Sequence, residues 1–265
     1  MSDMALRTAP APAVTHRWLA RGVALAIMSG VIVLLTITLP YDSPEAALIL
    51  DRQKHTVFPY PLTIQNAIYM AMAWAMADLY TRWRAARREA AFLRAGLLPE
   101  DMSTVLALED LGPIRQHVAG LHDRDSGYLP YLIDLSVLQL QASRSVDQAM
   151  SMLNGNLSLL QERLDLKYQM IRYLLWLIPT TGFIGTVIGL SLALELINPV
   201  SIDLGLVVDG LAISFYTTLV ALVASAILAF VQHAVQEMEE SALNEAGLYC
   251  LRNLVNRVYI PRSGG

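Results

Sequence analysis

The chain has 265 residues, of which 55% are hydrophobic and only 16% charged, and its mean hydropathy of +0.44 is too apolar for an ordinary water-soluble domain. A formal net charge of −4 leaves no electrostatic footprint for nucleic acid, and a single cysteine, Cys250, excludes an internal disulfide framework. These bounds describe an integral membrane protein whose partners lie in the membrane.

Residues 1–17 are expected to be a mobile cytoplasmic lead, since Met1–Thr15 is rich in Ala, Pro and Ser/Thr without hydrophobic period. Residues 18–81 hold the first two transmembrane helices and an external loop. Trp18–Leu39 is the first span, basic at its start (Arg17, Arg21), closed by Pro40, with Trp18 and Tyr41 suited to the two interfaces. Its apolar core is too long for a cleaved signal peptide, and no A-x-A site follows. Pro44, Pro59 and Pro61 mark the external loop, with one short helix around Pro44–Arg52. Leu62–Tyr80 is a weaker span whose polar residues Gln65, Asn66 and Asp78 sit at its ends. Asp78, one turn from a basic boundary, reads as a carboxylate reaching interfacial water or a neighbouring arginine; the other reading is a functional membrane carboxylate.

Residues 82–171 form a cytoplasmic helical domain. Arg82, Arg84, Arg87, Arg88 and Arg94 follow the second span, and Arg163, Lys167 and Arg172 precede the third, whereas the external loops contribute only Arg52 and Lys54. By the positive-inside rule both termini are cytoplasmic. The arginine run reads as a solvated anchoring face, with acidic lipid or a partner as the other use. Within the domain, Pro99, Glu100 and Asp101 open a helix that Gly112-Pro113 ends. Beyond the Ser126-Gly127 turn, Leu132, Leu135, Leu138, Met150, Leu153, Leu157 and Leu160 recur near helical spacing, predicting one or two long helices into the membrane. Asn154-Gly155 is where that rod would kink, since interior glycine costs about 1 kcal/mol.

Residues 172–232 form a transmembrane hairpin. Its two apolar runs, Leu174–Ile197 and Leu204–Val231, are each long enough to cross a hydrocarbon core of about 30 Å as a helix. Gly182, Thr186, Gly189 and Ala193 recur at steps of four and three on one helix. Gly210, Ser214, Thr217, Ala221 and Ser225 stripe the other, with Thr218 beside them. Small stripes let membrane helices approach closely, and tight packing alone is one reading of them; paired threonines at mid-depth point toward an ion path. Residues 233–265 continue as a cytoplasmic amphipathic helix through Val235, Met238, Ala242, Tyr249, Leu254 and Val258.

The stretch Ile178–Leu190, IPTTGFIGTVIGL, resembles the signature of the MotA/TolQ/ExbB proton-channel family, in which a proline precedes a G-x-x-G-T-v-x-G run. Pro179, Gly182, Gly185, Thr186 and Gly189 fall on the family positions, Thr218 on the threonine of its last span, and Ala221 where a glycine is usual. The resemblance covers roughly Leu164–Val235. The chain departs from the transporter-energising branch at Ile213, where that branch carries glutamate, and at Ile227, where it carries proline. The resemblance implies a pentameric ring around two copies of a single-span MotB/TolR/ExbD-like partner with a membrane aspartate. It further implies that Thr186 and Thr218, with Ser214 and Thr217, face the ion pathway, while Pro179, Gly182, Gly185, Gly189, Gly210 and Ala221 pack the hairpin.

No Walker loop, HExxH, CxxC or nucleophile elbow is present, and the five histidines are scattered. No catalytic residue, metal site or cofactor is expected; the ion moved is H+ or Na+. The Asn156-Leu157-Ser158 triplet has the form of a glycosylation site but lies in the cytoplasmic rod and is chance. No carboxylate sits at mid-depth in any span, so a channel built from this chain needs a titratable residue from another polypeptide. The expected fold is an all-α polytopic membrane protein with four transmembrane helices and long cytoplasmic helical extensions. Its expected role is the ring-forming channel subunit of an ion-driven motor in the bacterial inner membrane. The alternative is a non-conducting membrane scaffold that assembles through its small-residue faces.

Overall fold

A computed structural model describes residues 14–41, 43–52, 58–101, 104–122, 127–195 and 204–259, apart from the side chains of 14–17, 204, 206, 209 and 213. Most of the amino-terminal lead, Gln53 and Lys54 of the external loop, the turn of the hairpin with Asp203, and the side chain of Ile213 therefore lie outside the described residues. The helices are α1 (Val14–Thr38), α2 (Pro44–Leu50), α3 (Ile64–Leu93), α4 (Leu111–Val118), α5 (Tyr128–Ser143), α6 (Val146–Glu195) and α7 (Leu204–Asn253), with a 3-10 turn at Val255–Arg257. The described residues add one isolated parallel bridge, Leu106 to Val258.

The described residues divide into two compact units, one of Val14–Tyr80 and Gln169–His233, the other of Thr81–Tyr168 and the residues from Ala234 on. Each has its own packing logic. The second unit encloses an apolar core in which Leu129, Leu132, Ile133, Val137 and Leu140 of α5 meet Leu153 and Leu160 of α6 and Leu243, Ala246 and Cys250 of α7. That is the arrangement of a water-soluble bundle, with stripes at helical spacing turned inward. In the first unit many large side chains turn outward: Ile27, Leu34 and Ile37 of α1, Phe183 and Leu194 of α6, and Phe215, Leu222 and Phe230 of α7 are all exposed. A polypeptide that buries small residues and exposes large apolar ones is folded for lipid or for neighbouring subunits.

Among the described residues, three helices are long and apolar enough to cross a membrane, with spans at Trp18–Thr38, within Val146–Glu195 and within Gly210–Arg257. The helix α3, which contains the expected weaker span, is not among them. Its apolar part from Ile64 to Tyr80 covers about 26 Å against a hydrocarbon core of about 30 Å. It also does not stop at Tyr80, but continues as one helix through the arginine run to Leu93.

Four local expectations are corrected. No helix opens at Pro99; the described part of that stretch is irregular, and α4 instead starts where the Gly112-Pro113 pair was read as a stop. Proline is tolerated in a first helical turn because its missing N–H would have no intrahelical partner there. The rod does not kink at Asn154-Gly155: α6 is continuous, because buried Ala149, Leu153 and Leu160 hold it on either side and outweigh one exposed glycine. The break falls earlier, at Arg144, which caps α5 in the left-handed region (φ 48). Finally, Val258 is extended rather than helical and pairs with Leu106, while Arg257 donates to the carbonyls of Pro99, Glu100 and Asp101. The Gly127 turn is as expected, and its φ of 85 requires glycine: an added Cβ would lie 2.8 Å from both Cα and Cβ of His122.

Candidate functional site

The hairpin helices α6 and α7 meet along the two small-residue stripes, in an antiparallel ladder. A Cβ on Gly182 would collide with Ala221, one on Gly185 would lie 2.5 Å from Thr217 Oγ1, one on Gly189 would collide with the Ser214 hydroxyl, and one on Gly210 would lie 3.0 Å from the Ala193 nitrogen. Each glycine removes the atom that would hold the backbones apart, so side-chain hydroxyls of one helix reach the carbonyls of the other. Ser214 and Thr217 are fully buried in this seam, donating to the carbonyls of Gly210 and Ser214 at 3.3 and 3.2 Å.

Pro179 sits inside α6 and deprives the Leu175 carbonyl of its helical donor. Ser225 of α7 donates to that carbonyl at 3.4 Å. A neighbouring hydroxyl thus satisfies a backbone group that lipid could not. Thr180 and Thr181 donate to carbonyls of their own helix at Trp176 and Leu177.

Thr186 and Thr218 come together. Their hydroxyls are hydrogen-bonded to each other, and both are half-buried. Thr186 Oγ1 also lies 3.4 Å from the Gly182 carbonyl and 3.2 Å from that of Ser214; Thr218 Oγ1 lies 3.2 Å from each. Each hydroxyl has one proton, so one threonine donates to the other and the second donates to a carbonyl. Lone pairs remain for a cation or a proton donor, and the direction of the shared bond can reverse. Neither group can store a proton. Between Leu174 and Leu194, and between Gly210 and Val231, the sequence holds no acidic or basic residue. The pair can relay or coordinate, but a titrating partner must come from elsewhere.

Near the start of α1, Arg21 donates through Nε and Nη2 to both carboxylate oxygens of Asp78 at 2.7 and 2.8 Å, with its guanidinium 4.9 Å from the Trp18 ring and 5.2 Å from that of Trp74. Asp78 therefore has the arginine partner anticipated for it, and a bidentate pair ties α1 to α3.

A second polar centre, missed in the sequence, lies in the second unit. Glu239 of α7, 2% exposed, accepts from Arg82 of α3 at 3.1 Å, from the Tyr168 hydroxyl of α6 at 3.0 Å and from the Tyr128 hydroxyl of α5 at 3.1 Å. Beside it, buried Glu89 accepts from the Gly127 and Tyr128 backbone N–H groups at 2.6 and 2.8 Å, capping the start of α5. Burial pushes the Glu89 carboxyl above its usual range; the two N–H donors oppose this, and the Glu239 charge adds to it. Burial, reinforced by the Glu239 charge, also raises the phenols of Tyr128 and Tyr168. No local motif announced this cluster, because its members are up to 157 residues apart.

Residues 132–245 match the model of the MotA/TolQ/ExbB proton channel family. The match begins within α5, takes in both hairpin helices and ends within α7, extending beyond the segment that carried the resemblance while covering less than half of the chain. No curated protein matches the chain, and no solved structure does.

Proposed function

We propose that this chain is the ring-forming channel subunit of a rotary motor driven by proton or sodium flow across the bacterial inner membrane, powering motility, an envelope process or defence. The match of residues 132–245 to a proton channel family supports the channel class. The observation that carries the reading is the Thr186–Thr218 hydroxyl pair inside that segment, on two helices with no acid at that depth. In the assembly, five copies surround two single-span partners of the MotB/TolR/ExbD kind, and the partner's membrane aspartate carries the ion past this pair. Ser214 and Thr217 back the pair from within the seam.

Ring formation is supported by Leu159, Leu166 and Tyr173, spaced one heptad apart on α6 and 55%, 56% and 51% exposed. Leu159 and Leu166 belong to the unit with the water-soluble core, so lipid is not available to cover them and another copy is. With four spans, α3 being the short one shielded by its neighbours, both termini lie on the same side, and the arginine run after Tyr80 favours the cytoplasm as that side.

A scaffold reading is favoured by one fact: each threonine hydroxyl also lies within bonding distance of backbone carbonyls, as a packing residue would. Substituting valine separates the two, since it keeps the shape and removes the hydroxyl. Thr186→Val and Thr218→Val are expected to abolish ion-dependent function while expression and ring assembly persist; Thr181→Val, whose hydroxyl bonds only within its own helix, is expected to retain activity. Interhelical hydrogen bonds in membranes average about 0.6 kcal/mol, so full activity of both variants in a flux or motility assay would show the hydroxyls to be packing only.

A further inference from the structure

Four buried polar side chains lie at the end of α2 and in the first turn of α3, two segments that abut. Thr63 Oγ1 accepts from Asn66 N at 3.3 Å and lies 3.4 Å from the Leu50 carbonyl, and the Tyr69 hydroxyl donates to the Ile49 carbonyl at 2.9 Å, locking the two helix ends together. Asp51, Thr63, Gln65 and Asn66 are 6%, 3%, 0% and 6% exposed. Among the described residues, Asp51 Oδ1, both amide atoms of Gln65 and Asn66 Oδ1 have no hydrogen-bond partner. The Asn66 amide is oriented, because its Nδ2 donates to the Pro61 carbonyl at 2.8 Å, which assigns the free atom as oxygen. Among the described residues no arginine serves Asp51: Arg52 turns to the carbonyls of Thr36 and Leu39 and stacks over Tyr41 and Tyr60.

Folded proteins leave few buried polar atoms unpaired, and a concentration of them marks a missing water or ion. We propose that Asp51, Thr63, Gln65 and Asn66 form a binding site for a monovalent alkali cation. The donors are hard oxygens, the class that prefers alkali and alkaline-earth ions. One carboxylate among neutral donors balances a single positive charge. Calcium takes six to eight oxygens and magnesium demands a near-ideal octahedron, and neither is offered here. Burial pushes the Asp51 carboxyl up to about 7, and above that pH water alone would leave the ionised group uncompensated.

This site is separate from the ion-path reading, and either stands if the other fails. The test uses the purified full-length chain in mild detergent at mildly alkaline pH, with thermal unfolding followed as sodium chloride replaces choline chloride. Sodium is expected to raise the midpoint saturably by several degrees in the wild type. The rise should vanish in Asp51→Asn and need at least tenfold more sodium in Gln65→Leu. A wild type that does not distinguish sodium from choline, a response unchanged in Asp51→Asn, or one evoked by magnesium instead would overturn the site. If Asp51→Asn does not fold, Gln65→Leu decides: a higher midpoint with an undiminished sodium response would mean that Gln65 is merely an unpaired amide and there is no site.

Discussion

Two glycines of α6 illustrate how context sets the consequence of one methyl group. Gly185 faces Thr217 in the hairpin seam, where an added Cβ would lie 2.5 Å from Oγ1 and 2.8 Å from Cβ; Gly155 is solvent-exposed, with nothing within 4 Å. Gly185→Ala is therefore expected to cost about 1–3 kcal/mol through overpacking. Gly155→Ala should gain about 0.5–1 kcal/mol, because glycine in a helix interior is the poorer former. Unfolding midpoints of the two variants in detergent check both signs. Spacing alone marked Gly185 as a packing residue, since its period fits a close helix contact, but it gave Gly155 the role of a kink that neighbouring leucines suppress. Glu89 makes the other prediction at this scale. Burial raises its carboxyl in the folded unit, so its contribution is fully present below the unfolded value of about 4.3 and is lost as pH rises through the raised one. The chemical stability of the wild type should fall across that window relative to Glu89→Gln, which lacks the titrating group. A pH-independent difference between the two would contradict the assignment. The groups facing Glu89 are Glu239 and Arg88, with Tyr128 donating its backbone N–H.

The helices show which sequence signals survive folding. Pro40, Ser43-Pro44 and Gly127 delimit elements close to where local chemistry puts them, because a missing N–H, a Ser cap and a positive φ act within one turn. The α5–α6 break had such a signal too: Ser145-Val146-Asp147-Gln148 is a capping-box pattern, and Ser145 Oγ lies 3.4 Å from the Gln148 nitrogen. The Gly112-Pro113 pair was ambiguous because proline ends one helix and starts another by the same lack of a donor. Pro179 yields a testable coupling between elements. Ser225→Ala should cost on the order of 1 kcal/mol by orphaning the Leu175 carbonyl. In a Pro179→Ala background, where the residue-179 N–H again serves that carbonyl, the same change should be nearly neutral. A double-mutant cycle on hairpin stability measures the difference, and strict additivity would mean that Ser225 does not serve the proline gap.

For the whole molecule, composition identified a membrane protein and arginine placement predicts its orientation, but the number of spans was less legible. The helix α3 is apolar for barely a bilayer's depth and then carries Arg82, Arg84, Arg87 and Arg88 without a break in the backbone. Whether such a helix crosses is decided by burial among neighbours, here Ile68, Ala75 and Leu79 at 1% exposure or less, rather than by its own hydropathy. Reporter fusions separate the cases. Fusions at Arg94 and Gly265 are expected to report the cytoplasm and one at Gln53 the outside; an external signal at Arg94 would remove the second crossing. The helical bundle of the second unit was visible as periodicity, whereas its polar centre was not, since no window of sequence contains both Arg82 and Glu239.

That polar centre also constrains how the protein can change over generations. Arg82 is 5% exposed, its Nη1 meets Glu239, and its guanidinium stacks 4.5 Å from the Tyr168 ring. Losing Glu239 alone would strand a buried cation at about 3–5 kcal/mol, while exchanging both charges for apolar residues of similar volume would be close to neutral. The two positions are thus separated by a fitness valley that single substitutions cannot cross cheaply. Lineages descended from this sequence should keep arginine and glutamate together or lose them together, so that residues from α3 and α7 are inherited as one character.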